Sequence, residues 1–232
     1  MTQEVFLLSY TKYGDHDAVL HCFCRENGFE SFFAKGIYAP RNKKKAFLFP
    51  LNELLLYTSD KKKNIQNVLK IEQKNTESFS SDVRKSSILF FISDLLNQVL
   101  RNENQNVGIY SEISVFLSQL QIDNFQSHLI FIFRLLKQQG LQPLFSDKTY
   151  LNPETGNFED VEVHHFFNKT ISDIWKDLIT TQDPYSIKLS RMEKQNFLDS
   201  VLIYFHYHFT DFREPRSLEI IKEIFWSEFT FY

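Results

Sequence analysis

Five cations and no anion fall within Lys35-Gly-Ile-Tyr-Ala-Pro-Arg-Asn-Lys-Lys-Lys45, and Tyr38 lies among them. A second run, Lys61-Lys62-Lys63, tips the next loop. Clustered ammonium and guanidinium groups displace counterions from phosphate, and an aromatic ring beside them can stack on a base. The chemistry is polyanion binding, with Lys35, Tyr38, Arg41, Lys43, Lys44, Lys45, Lys61, Lys62 and Lys63 as the DNA-contacting set. A single lysine cluster serves equally well as a solvated loop that protects a sheet edge. Two clusters in one short region, set against an acidic remainder, favour the polyanion. Tyr38 is the stacking candidate, whereas Phe23, Phe32, Phe33, Phe47 and Phe49 read as core.

The remaining reactive residue types do not assemble into a site. Cys22-Phe23-Cys24 puts two thiols on one face of a strand, but zinc takes four ligands and no second pair exists. His206-Tyr207-His208 and His164-His165 are spaced by two and one; facing ligands on a helix need three or four. They read as packing positions with a polar nitrogen. No Gly-x-Ser-x-Gly elbow or Walker loop occurs, and six glycines leave little for a phosphate-cradling loop. Asp15/Asp17 and Glu159/Asp160 belong to no motif. The expectation is a protein that is not an enzyme and uses no metal or cofactor.

Composition sets the frame for that chemistry. The chain has 232 residues with formal charge −3, 43% hydrophobic and 24% charged, which excludes disorder. It holds 25 Phe against 6 Gly and 6 Pro, so regular elements are long and the core is built from rings. No apolar run approaches the roughly 18 residues of a membrane span. Met1-Thr2-Gln3-Glu4 lacks the basic start of a signal peptide. The expected setting is the cytoplasm, with no membrane partner. The charge is polarised: residues 1–78 carry 12 Lys+Arg and 9 Asp+Glu, and the rest carry 14 and 20. Between Lys35 and Lys74 ten basic residues face Glu53, Asp60 and Glu72.

Periodicity changes near residue 78. Before it, short apolar runs predict strands at Val5–Thr11, Ala18–Arg25, Glu30–Ile37, Ala46–Tyr57 and Asn67–Gln73. Turn chemistry separates them, and Asn27-Gly28 marks a hairpin. Five short strands predict a small barrel, of the oligonucleotide-binding (OB) or the Src-homology-like type. As one strand, Ala46–Tyr57 would span up to ~40 Å and set the two lysine loops at opposite barrel ends. Nucleic acid could then track between them; Pro50 is placed to bend and shorten that path. After residue 78 helical spacing takes over, at Asp82–Arg101, Val107–Gln121, Asn124–Gln139, Val163–Thr180, Arg191–Phe209 and Ser217–Trp226. Gly140 fits a helix C′ position, Ser190 and Glu193 a capping box, and Tyr150–Phe158 an inserted hairpin.

Several segments together resemble one family. Tyr13-Gly-Asp-His-Asp-Ala-Val-Leu-His-Cys-Phe, Arg25-Glu-Asn-Gly28 and Phe33-Ala-Lys-Gly36 are similar to the N-terminal signature of RecO recombination mediators. Asp82-Val-Arg-Lys-Ser86, Lys188-Leu-Ser-Arg191, Tyr204-Phe-His-Tyr-His-Phe209, Phe212 and Ser217-Leu-Glu-Ile-Ile221 resemble the Bacteroidetes versions. The resemblance runs in order over nearly the whole chain. It implies an α+β multidomain protein: a five-stranded OB-fold barrel over residues 1–78, then an all-α helical domain over residues 79–232 with the inserted β-hairpin. It also implies binding of single- and double-stranded DNA and strand annealing. The implied partners are RecR and the acidic C-terminal tail of single-stranded DNA-binding protein (SSB), with RecA loaded indirectly. Cytoplasmic, nucleoid-associated DNA repair follows.

The chain departs from the family in two places. Many members carry a four-cysteine zinc module after the central helix; here Gly140-Leu-Gln-Pro and the Tyr150–Phe158 hairpin contain no cysteine, so no zinc is expected. The family's tail pocket is an apolar groove rimmed by arginines, but Leu129 and Ile130 fall at the matching positions. Arg134 and Lys137 are the substitutes on that helix, or else a solvated basic pair. The alternative function is a protein-interaction adaptor whose basic loops grip acidic partner tails without touching DNA.

Overall fold

A computed structural model describes residues 1–59, 65–74 and 79–226. Chain contacts group into two units: residues 1–110 with 215–217, and residues 111–214 with 218–232. In the first unit, β1 (Thr2–Tyr13), β2 (Asp17–Cys24), β3 (Gly28–Ala34), β4 (Glu53–Thr58) and β5 (Gln66–Gln73) close into a barrel of order β1-β2-β3-β5-β4. A parallel β3–β5 pairing, Phe32 opposite Gln66 and Phe33 opposite Asn67, completes the circle. This is the OB arrangement, and it removes the sheet edges that an open meander would expose.

Strand alternation decides what fills the barrel. Val5, Leu7, Ala18, Leu20, Cys22, Cys24, Phe32, Ala34, Leu54, Leu56 and Ile71 point inward and are buried together. The intervening residues of β1 to β3 form the outer face. β2 and β3 turn on Asn27-Gly28, where Gly28 takes φ +77, a conformation that only glycine adopts without strain. A register shift in β1 between Leu7 and Ser9 takes Leu8 out of the ladder, and its carbonyl accepts the Ser93 hydroxyl. Ser93 lies on α1 (Val83–Val99), whose N-terminus is capped by the Asp82 carboxylate on the Arg84 and Lys85 amides. The neighbouring Ser9 hydroxyl donates to Asn97 at 2.9 Å. Packing of α1 on the barrel is why the first compact unit runs past residue 78, to 110.

The predicted Ala46–Tyr57 strand is corrected. Lys43–Phe47 form a 3-10 turn, Pro50 and Leu51 lie in a further turn with Leu51 at φ +58, and β4 holds only Glu53–Thr58. Proline cannot donate to a central ladder, so the chain coils there. Six residues span about 20 Å, and the premise of lysine loops held ~40 Å apart fails.

The second unit contains most of α2 (Val107–Gln121), then α3 (Ser127–Gln138), α4 (Lys169–Thr180), α5 (Arg191–His208), α6 (Leu218–Trp226) and the hairpin β6 (Tyr150–Asn152)–β7 (Asn157–Glu159). Its centre is Trp175, ringed by Phe133, Phe167, Phe197 and Tyr204 at 5.1–6.3 Å between centroids. The indole N–H donates to Ser200 Oγ at 3.0 Å, so the largest core side chain leaves no polar atom unpaired. The capping box at Ser190 and Glu193 forms, and Gly140 at φ +70 ends α3 in a Schellman pattern. The predicted Val163–Thr180 helix starts late: His165–Phe167 is a 3-10 turn, and Asn168 caps the helix that follows. No helix among the described residues is long and apolar enough to cross a membrane.

Candidate nucleic-acid interface

The basic loop is a built structure. Beyond β3, Gly36 reverses the chain at φ +64 and donates its amide to Asp17 Oδ1 at 2.7 Å. Its carbonyl accepts from Asn42 Nδ2 at 2.9 Å and from the Ala39 amide at 3.1 Å. Asn42 then caps the 3-10 turn by accepting the Lys44 amide at 2.9 Å. The Tyr38 amide donates to the His16 carbonyl at 2.8 Å, which ties this loop to the β1–β2 turn. Ile37 and Leu48 are buried in the barrel core, and Tyr38 and Phe47 pack against it. At the far end the Leu51 amide donates to the Leu7 carbonyl, and the Leu7 amide to the Asn52 carbonyl. Apolar anchors therefore face inward. Lys35, Arg41, Lys43 and Lys45 stand exposed, with Lys44 partly so.

Ion pairing narrows the positive patch. Of the ten cations between Lys35 and Lys74, Lys70 pairs with Glu72 at 2.5 Å, and Lys74 bridges Glu53 at 2.9 Å and Glu4 at 3.2 Å. Glu72 raises the Lys70 pKa; Lys70, together with the Tyr57 hydroxyl, lowers that of Glu72. Glu4 is likewise held below the usual carboxylate range by Arg25 and Lys74. Among the described residues no carboxylate lies within ion-pair distance of Lys35, Arg41, Lys43, Lys44 or Lys45. The uncompensated charge thus gathers in the 35–45 loop. Lys61, Lys62 and Lys63 lie outside the described residues.

Aromatic rings cluster beside that loop. Tyr38 stands 6.5 Å from Tyr10, and the Lys12 ammonium lies 5.7 Å over the Tyr38 ring. Burial, with a hydrogen bond to Tyr10, raises the Tyr38 pKa and keeps its hydroxyl protonated. Tyr13, on the outer face, packs edge-on against Phe33 at 5.7 Å. Phe23 and Phe32 are core, Phe47 borders it and Phe49 meets Phe90 at 5.7 Å; Phe33, expected inside, is instead partly exposed on the outer face. Tyr10 and Lys12 are not among the residues that sequence singles out, and Tyr13 enters there only through the family resemblance; β1 runs two residues past the predicted end at Thr11. Continued alternation through Tyr10, Lys12 and Tyr13 is the signal that could have found them.

In the second unit Arg134 is already engaged. Its Nε donates to Glu112 Oε1 at 3.0 Å, and its Nη2 reaches the same oxygen. Glu112 is buried and holds the guanidinium pKa up, while Lys137 on the same helix is exposed. Of the pair read from sequence, Arg134 is therefore tied to Glu112 and Lys137 is exposed. The histidine and cysteine pairs take packing roles: His208 contacts the Pro153 carbonyl at 2.8 Å, His164 stacks on His165, and Cys22 and Cys24 are buried. Burial raises the Cys22 thiol pKa. Among the described residues no group of three His, Cys, Asp or Glu side chains is placed to hold a metal.

Comparison with known proteins completes this description. Residues 1–76 match the family model for the recombination protein O N terminal, and residues 80–158 the one for the recombination protein O C terminal. The chain is 28% identical to the DNA repair protein RecO of Flavobacterium psychrophilum, aligned over 96% of this chain and 98% of that protein. It is 27% identical to the protein of the same name from Flavobacterium johnsoniae, with equal coverage, and 25% identical to that of Porphyromonas gingivalis over 97% and 99%. The barrel, the helical unit with its small hairpin and the two ordered matches agree, and the chain belongs to the recombination protein O family.

Proposed function

We propose that this chain is a DNA repair mediator that binds single- and double-stranded DNA through the 35–45 loop and brings complementary strands together to anneal. Lys35, Arg41, Lys43, Lys44 and Lys45 neutralise phosphate; Lys61, Lys62 and Lys63 are assigned the same role from sequence. With RecR, and through contact with the acidic SSB tail, it helps place RecA on coated single strands. The work is physical: charge neutralisation, proximity and exchange of partners, with no bond made or broken by the chain. It is placed in the cytoplasm, at the nucleoid. The observation that carries this reading is one loop, braced by Asp17 and Asn42, that presents five cations with no carboxylate within ion-pair distance among the described residues.

For the SSB tail, Lys137 remains the exposed cation on α3, with Arg134 held by Glu112. The domain division proposed with this function keeps residues 1–78 as the DNA-binding barrel and residues 79–232 as the partner-binding helical part. Salt titration tests the main claim. Contact with four to six phosphates gives a slope of log K against log salt of roughly −3 to −4 for single strands. Replacing Lys43, Lys44 and Lys45 with Gln should flatten that slope and weaken all sequences alike. An unchanged slope moves the site elsewhere, and failure of the wild type to bind a homopolymer at low salt favours the adaptor that grips only acidic tails.

A further inference from the structure

We infer that the open outer face of the barrel is a base-stacking platform for unpaired DNA, with Tyr13 as its exposed ring and Phe33 as its support. The inference rests on the DNA-binding reading above and adds strand type to it. Strand register places the two rings. Thr11 pairs with Val19 and Tyr13 with Asp17 across β1–β2, and Val19 pairs with Phe33 across β2–β3. Alternation sets Thr11, Tyr13, Val19 and Phe33 on one face, opposite the buried Ala18 and Leu20.

Most of that face is closed. Phe6 packs on Tyr110 at 4.5 Å, Phe23 is fully buried, Ser9 is held by Asn97, and Gly28 is pressed against the Glu103–Asn104 backbone. Among the described residues of β1 to β3, the end beside the β1–β2 turn stays open. There Tyr13 is 63% exposed, and its structural contact with Phe33, at an interplanar angle of 78°, leaves much of the ring in water. An exposed tyrosine adds little to a core, but a ring with one free side is a stacking surface. The same end carries the exposed cation Lys35, one residue beyond β3; Lys12, opposite Ala18, projects from the other side of the strand, over Tyr38.

Charge selects the occupant. An apolar peptide would gain nothing from Lys35, whereas a nucleic acid strand supplies phosphate for it and a base for Tyr13. A duplex supplies the same phosphates but keeps its base faces inside its own stack. The platform therefore discriminates where the lysine loop does not.

The test compares a fluorescent oligo-dT with a blunt hairpin duplex of equal phosphate number, for the full chain over a range of salt. Tyr13→Leu should weaken oligo-dT binding by about 5- to 100-fold, change duplex binding less than twofold and leave the salt slope intact. Tyr13→Phe should restore wild-type affinity. Tyr13→Trp should report stacking directly, its emission quenched by oligo-dT and not by the duplex, with the wild type as background for Trp175 and Trp226. Equal loss on both DNAs, no loss on either, or emission from the Tyr13→Trp variant that oligo-dT leaves unquenched would overturn the inference. If the triple lysine variant flattens the salt slope while Tyr13→Leu is neutral, the stacking claim fails and the DNA-binding reading stands. If the wild type binds neither DNA at low salt, both fail.

Discussion

The Gly36 amide donates to Oδ1 of Asp17 at 2.7 Å, and this contact joins the start of the basic loop to the first residue of β2. A hydrogen bond to a carboxylate contributes about 1.5–3 kcal/mol, and this one also sets the direction in which Lys35 leaves the strand. Asp17→Ala should lower stability by an amount in that range. Exchange of the Gly36 to Asn42 amides should quicken, and DNA affinity should fall although no cation is removed. Hydrogen exchange followed by mass spectrometry checks the loop, and the oligo-dT assay checks the affinity. Unaltered protection across Gly36 to Asn42 would show that Ile37 and Leu48 hold the loop without Asp17.

Two glycines at positive φ give a paired prediction. A Cβ on Gly28 would lie 2.3 Å from the Glu103 carbonyl and the Asn104 backbone, whereas one on Gly14 would meet nothing within 4 Å. Gly14→Ala carries only the left-handed strain, about 1–2 kcal/mol. Gly28→Ala adds a backbone collision and should cost about 3 kcal/mol or more. Thermal melts of the two variants separate strain from packing. Equal losses would mean that the 103–104 segment yields freely.

Much of this architecture is legible from residue order alone, for identifiable reasons. Asn27-Gly28, Ser190 with Glu193, and Gly140 act through local chemistry, so each appears where it is read. The inward set of β1 to β3 follows from alternation, and the basic loop from an uninterrupted charge run. What residue order hides depends on distant partners. The Ala46–Phe49 stretch looks like a strand, but the Leu7 ladder captures Leu51 and Asn52, and β4 begins only at Glu53. Phe33 looks like core until register puts it outside. Arg134 looks available until Glu112, a full helix away, is found on it. Pairing across the fold is invisible to spacing.

That last contact predicts how mutants of α3 behave. Glu112 is buried and Arg134 partly exposed, so removing the guanidinium leaves a buried carboxylate without its partner, at a cost of about 1–3 kcal/mol. Arg134→Ala should therefore lower the melting midpoint sharply and confound any tail-binding assay. Arg134→Met with Glu112→Gln should recover most of the loss. Lys137→Ala should leave stability within about 0.5 kcal/mol. If Lys137 serves the tail, that variant alone weakens binding of a synthetic acidic SSB-tail peptide measured by calorimetry. Undiminished peptide affinity would remove α3 from the tail site.

His128 makes the second unit acid-sensitive ahead of its carboxylates. Its ring is buried, with Nδ1 2.7 Å from the Phe125 carbonyl; a carbonyl only accepts, so Nδ1 carries the proton. Burial, with a smaller contribution from Lys194, outweighs the Phe125 hydrogen bond and pushes the pKa down to about 4. The folded value lies below the unfolded one, so at neutral pH both states are uncharged here and stability is full. As pH falls from about 6.5, the unfolded chain takes up a proton that the folded chain refuses. Stability drops until the folded group also titrates near 4, by roughly 3 kcal/mol in all. Carboxylates with lowered values, such as Glu193, lose their contribution only at more acid pH. Denaturant midpoints between pH 7 and pH 5 should fall in the wild type and stay nearly level in His128→Gln, even if that variant starts lower. Parallel slopes in the two proteins would assign the acid sensitivity to other groups.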